Sequence, residues 1–171
     1  VNQPPQPPVN TMPAGGWTTF QDTPVLLTGL SVADPDAGDT AMSVGLGVNP
    51  ATGTLTATST SEVTVTGSDT NAVRLGGTLT DVNAFLAGSG VTYTGVGADW
   101  AGGAVFMRTT DSDGAQSSLD HAVVTIVNQP PVNTMPAGGW TTFQGTPVVL
   151  TGLSVDDRDA GDTAMSVGLA V

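Results

Sequence analysis

The clearest pattern along the chain is a two-residue alternation over 41–48. It places Met42, Val44, Leu46 and Val48 on one face and Ala41, Ser43, Gly45 and Gly47 on the other, the period of a half-buried strand. Further strands are predicted at 17–21, a short edge strand, and at 25–32, with a bulge at Gly29. Segments 52–58 and 62–66 read as a hairpin, and 72–79, 91–94, 103–110 and 119–127 complete the set. One helix is predicted over 81–87, with Asp81 as its cap and Val82, Phe85 and Leu86 on one face. This number and spacing of strands predicts an all-β fold, an antiparallel Greek-key β-sandwich of immunoglobulin-like form.

The pattern then repeats. Residues 9–48 and 132–171 align without a gap at an offset of 123, with 35 of 40 positions identical. The differences are Asp22/Gly145, Leu26/Val149, Ala33/Asp156, Pro35/Arg158 and Gly47/Ala170. A period this long suits one sandwich per repeat, because solenoid units are several-fold shorter. The chain is therefore divided into a Pro-rich linker at 1–8, a complete repeat at 9–127, a linker at 128–131 and the first third of a further repeat at 132–171. The Pro-Pro pairs of the linkers favour stiff extension. An alternative unit, permuted or strand-swapped, runs over 49–171, because residues 9–48 and 132–171 compete for one place.

Composition narrows the function. The chain of 171 residues carries 3 Lys+Arg against 15 Asp+Glu, for a net charge of −12. That excludes an electrostatic nucleic-acid binder, which needs a basic face, and argues against docking on anionic lipid. No run is long and apolar enough for a membrane helix. Without Cys there is no disulfide or thiolate chemistry. Catalysis has little to stand on: His121 is the sole His and lies in a strand, no Gly-x-Ser-x-Gly elbow occurs, and a P-loop is impossible without Lys. The expectation is a protein that is not an enzyme.

Acid gathers in two loops. One holds Asp34, Asp36 and Asp39, and its repeat copy holds Asp157, Asp159 and Asp162. The other holds Asp111 and Asp113. An immunoglobulin-like topology puts the first and last of these loops at the end where the chain enters. Five carboxylates converging without Lys to neutralise them point to a hard cation, and Ca²⁺ takes six to eight oxygen ligands of this kind. The spacing is not that of an EF-hand. Trp100, in a Gly-rich loop, is the candidate for stacking on a sugar ring, whereas Trp17 and Trp140 are repeat equivalents expected to pack.

In order along the repeat stand Asp22-Thr23-Pro24, the segment 27–32, Asp34 and Asp36, Gly53-Thr54-Leu55, Gly77-Thr78-Leu79, Val82-Asn83-Ala84-Phe85-Leu86, Thr92-Tyr93 and Asp113-Gly114. This series resembles the cadherin-like tandem repeats of large bacterial surface proteins, including repeats-in-toxin-type adhesins. The resemblance implies a cadherin-like sandwich, calcium at the domain end, and an extracellular structural spacer of an adhesin or filament. Neighbouring repeats of the same polypeptide would be its partners. Two departures stand out: Gln129 occupies a linker position where the family often places Asp, and Asp22 becomes Gly145 in the second copy. The competing readings are a carbohydrate-binding adhesive module and a filament subunit that self-assembles by homotypic strand exchange.

Overall fold

A computed structural model describes residues 5–36, 38, 40–88, 90–95, 102–158 and 164–170. The chain divides into two compact units, Val1–Val127 and Asn128–Val171.

The first unit is all-β with one short helix. Its elements are β1 (Val9–Thr11), β2 (Trp17–Phe20), β3 (Val25–Leu26), β4 (Ser31–Ala33), β5 (Ala41–Gly47), β6 (Gly53–Thr56), β7 (Thr64–Thr66), β8 (Ala72–Thr78), α1 (Leu79–Ala87), β9 (Thr92–Gly95), β10 (Gly103–Thr110) and β11 (Asp120–Val127). A six-stranded sheet runs in the order β2-β11-β10-β5-β8-β7, a three-stranded sheet in the order β3-β9-β6, and β1 pairs with β4. β2 lies parallel to β11 at the sheet edge; the other pairs are antiparallel.

The alternation over β5 is buried as its pattern predicts, with Met42, Val44 and Leu46 inside. They join Val73 and Leu75 of β8 and Val105 and Met107 of β10. From the other sheet come Leu55 and Tyr93, and Val82, Phe85 and Leu86 of α1 enter the same core. Each large apolar side chain taken fully out of water contributes roughly 1.5–3 kcal/mol, so β5, paired on both edges, is the centre of the fold.

Three local expectations are corrected. The segment 25–32 is two strands, not one bulged strand. Gly29 takes φ +79°, a conformation few side chains adopt, and the chain leaves β3 in one sheet to form β4 in another. The hairpin expected from 52–58 and 62–66 does not form: β6 pairs with β9 and β7 with β8, in different sheets. Alternation reports which face is apolar but not which strand lies alongside. The helix begins at Leu79, and its cap is Thr78, whose hydroxyl accepts from the Asp81 N–H. The Asp81 carboxylate in turn accepts from Thr78 Oγ1 at 2.8 Å, which holds the capping hydroxyl in place.

Tyr93, the sole tyrosine, is fully buried and donates from its hydroxyl to Thr52 O at 2.5 Å. Burial pushes its pKa above the ordinary value of 10.0. The folded chain keeps this proton while the unfolded chain releases it near the ordinary value. Stability from Tyr93 is therefore intact below about pH 10 and is lost as pH rises through the folded pKa. Ultraviolet difference titration should find phenolate forming at higher pH in the folded protein than in denaturant, where the titration is ordinary. A normal titration in the folded state would contradict the burial.

In the second unit, β12 (Val132–Thr134) pairs with β13 (Ser154–Asp156), reproducing β1 and β4. Trp140 Nε1 donates to Thr151 O at 2.9 Å, as Trp17 Nε1 does to Thr28 O at 3.0 Å. Thr142 Oγ1 donates to Thr146 O at 2.7 Å, matching Thr19 to Thr23. The Asp22/Gly145 difference falls on a left-handed residue in both copies, φ +53° for Asp22 and +76° for Gly145. Asp tolerates that conformation and Gly adopts it without steric cost, so the exchange preserves the turn.

The strand expected around Met165, Val167 and Leu169 is not formed: residues 164–170 carry no strand, and these three side chains are exposed. Their counterparts in β5 are held between β8 and β10, and no strands of that kind occur among the described residues of the second unit. Residues 9–48 supply β1 to β5 of the first unit.

Candidate functional site

The acidic loops lie at one end of the first unit. The loop after β4 and the loop after β10 meet where Ser112 Oγ donates to Thr40 Oγ1 at 3.3 Å. β5 leaves the first loop as β10 enters the second, with Ser43 opposite Thr110. Asn10 of β1 is bound at this same end by the residues that precede β11, so the chain enters the sandwich here.

The carboxylates at this end hold the loops themselves. Asp111, at 8% exposure, accepts through Oδ1 from the backbone N–H of Asp113 at 2.9 Å and of Ala115 at 2.8 Å. Asp34 Oδ1 accepts from the Asp36 N–H at 3.3 Å, and Asp36 Oδ2 accepts from the Gln6 N–H at 2.7 Å, tying the linker to the loop. Asp113 is exposed. Short Asp side chains that bond backbone two residues on are the usual way such turns are fixed. Among the described residues no three His, Asp or Glu side chains gather as a cation would require. Asp39, Asp159 and Asp162 lie outside the described residues; Asp157, half-buried, follows β13 in the second unit.

Trp100 also lies outside the described residues. Trp17 is buried in the core, as expected of a packing residue. His121 is on the outer face of β11, its ring 5.9 Å from that of Phe106.

Sequence reading passed over the two asparagines that do most to join the elements. Asn10 Nδ2 lies 2.8 Å from Ser117 Oγ and 2.9 Å from Asp120 Oδ2, while Asn10 Oδ1 accepts from Thr109 Oγ1 at 2.6 Å. Asn83 donates to Val32 O and accepts from Val32 N–H, both at 2.8 Å. Asn is a weak helix former, so its place inside the apolar pattern of α1 was the available signal.

No known family model matches this chain, and no curated protein is significantly similar to it.

Proposed function

We propose that the chain is a non-catalytic structural spacer from a tandem array, a cadherin-like repeat of a bacterial surface adhesin or filament that works outside the cell. The observation that carries this reading is the placement of the two ends of the first unit. The chain enters beside Ser117–Asp120 and leaves at Val127, the far end of β11. A module with ends on opposite faces adds length with each copy, whereas one with adjacent ends folds an array back on itself. The second copy supports the same reading, because it rebuilds the β1/β4 pair and the Trp and Thr hydrogen bonds from its own residues.

Calcium at the acidic end belongs to the proposal through resemblance and composition. It requires the loop carboxylates, Asp39 included, to draw together around the ion. X-ray scattering of proteins with two, three and four repeats tests both parts. Maximum dimension should rise by a constant increment per repeat, and more steeply in millimolar Ca²⁺ than in chelator. Compact dimensions independent of repeat number would sink the spacer reading; identical curves with and without Ca²⁺ would remove the metal and leave the rod.

Strand exchange between chains remains a second reading, favoured by one observation. Met165, Val167 and Leu169 are exposed at 49%, 57% and 64%, whereas their counterparts Met42, Val44 and Leu46 are core. A strand of this pattern seeks β8- and β10-like neighbours.

A further inference from the structure

The chain has three basic side chains, and the fold sets two of them across a single glycine. Arg74 of β8 and Arg108 of β10 are both register partners of Gly45 on the intervening β5. All three residues lie on the outward face of the sheet, since Val73, Leu75, Val44, Leu46, Met107 and Thr109 on either side of them are buried. The two Cα atoms are two strand spacings apart, about 10 Å, and Gly45 raises no side chain between them. A cleft of about 270 Å³ opens there, lined by Ser43, Gly45, Arg74, Arg108, Thr110 and Gln116.

This placement runs against ordinary electrostatics. In a chain of net charge −12, dispersing two arginines among the carboxylates would gain attraction, and setting them side by side gives it up. Yet among the described residues neither has a carboxylate partner: Arg74 donates from Nη1 to Ser43 Oγ at 3.3 Å, and the Arg108 guanidinium makes no hydrogen bond or ion pair with them. Each guanidinium has five N–H donors in a fork that fits a carboxylate, so most of that capacity faces solvent.

The surroundings narrow the ligand. Two residues along β10 from Arg108, on the same face and about 7 Å away, the Phe106 ring is 39% exposed beside that of His121. On the other side of the arginine row stand the hydroxyls of Ser43 and Thr110 and the exposed Gln116 amide. An exposed aromatic ring beside the cleft, a cationic pair and neutral hydrogen-bonding groups on one sheet face are the elements that hold an oriented polar ligand.

We propose that the outer face of β8, β5 and β10 binds a carboxylate-bearing sugar. Its acid group lies over Gly45 between Arg74 and Arg108, and its ring lies against Phe106. This site does not depend on the spacer reading and does not involve Trp100 or the acidic loops.

Titration of the full chain with glucuronate, followed by amide chemical shifts, tests the proposal. Saturable shifts are expected at Gly45, Arg74, Arg108 and Phe106, with Kd in the range of about 1–10 mM. Arg74→Gln and Arg108→Gln preserve the side-chain stem and should each weaken binding by about tenfold or more, the scale of a charge-assisted hydrogen bond. Glucose, without the acid group, should bind at least about tenfold more weakly by the same criterion. Added salt should weaken glucuronate, and Phe106→Ala should weaken it while leaving sulfate unaffected. The proposal is overturned by the absence of saturable shifts up to about 50 mM glucuronate, by binding that survives the double Arg→Gln variant, or by glucose binding equally well. If sulfate matches glucuronate and Phe106→Ala changes neither, the sugar assignment fails.

Discussion

Asn83→Ala is expected to destabilise the first unit by about 2–4 kcal/mol, because it orphans both backbone polar groups of a buried residue. Val32 is 5% exposed. β4 has a strand partner on one side only, β1. On its other side the Asn83 amide stands in for a second strand, giving an N–H to Val32 O and an oxygen to Val32 N–H at 2.8 Å each. A buried donor or acceptor left unpaired costs about 1–3 kcal/mol, and two are created here. Against a typical domain stability of about 5–15 kcal/mol, this is a large fraction. A urea titration should show a lower midpoint with an unchanged slope. Asn83→Asp is the sharper control: it keeps the acceptor for the N–H but sets a carboxylate against the Val32 carbonyl, so it should rescue little. A shift below about 0.5 kcal/mol for Asn83→Ala, the range of an ordinary surface change, would mean the amide is not holding β4.

Asn10→Ala is expected to cost about 2–3 kcal/mol and to loosen the end where the chain enters. One side chain there meets Ser117 Oγ, Met107 O, Ser118 O and Asp120 Oδ2 through its amide nitrogen and accepts from Thr109 Oγ1. Thr109 is fully buried and Ser117 nearly so, so removing the amide leaves the Thr109 hydroxyl without that acceptor in a place water does not reach. The local result separates this from a general loss of packing. Amide hydrogen exchange should accelerate in β1 and β4 well before it does in β10 and β11. In a multi-repeat protein the same change should increase bending between units, because β1 is the first strand after the linker. Uniform acceleration across the unit would contradict the clamp.

Both asparagines illustrate what sequence reading could and could not reach. The apolar alternation of β5, the inward face of α1 and the edge position of β2 were legible because each follows from the spacing of neighbours along the chain. The meeting of the two acidic loops at one end followed from strand order and turn chemistry. What those carboxylates do was less legible. Asp111 is expected as an ion ligand from its acidic loop, and the structure adds a role that spacing did not show: its Oδ1 accepts from two backbone N–H groups two and four residues on. The arginine pair was invisible for a different reason: Arg74 and Arg108 are brought together only because both happen to be in register with Gly45.

By itself the sequence determined that this chain is β-rich and that residues 9–48 recur at 132–171 with their turn residues kept. Those properties depend on short-range periodicity, on residues tolerant of positive φ such as Gly29 and Gly152, and on capping within a few residues. The tertiary structure alone decided which strands lie side by side, so that 25–32 serves two sheets and β6 and β7 part company. It also decided that Val44 is core while its copy Val167 is exposed. The physical reason is that a strand's alternation fixes a face to be buried, whereas burial itself needs partners from distant parts of the chain. Identical residues are therefore buried where β8 and β10 lie beside them and exposed where no such strands do.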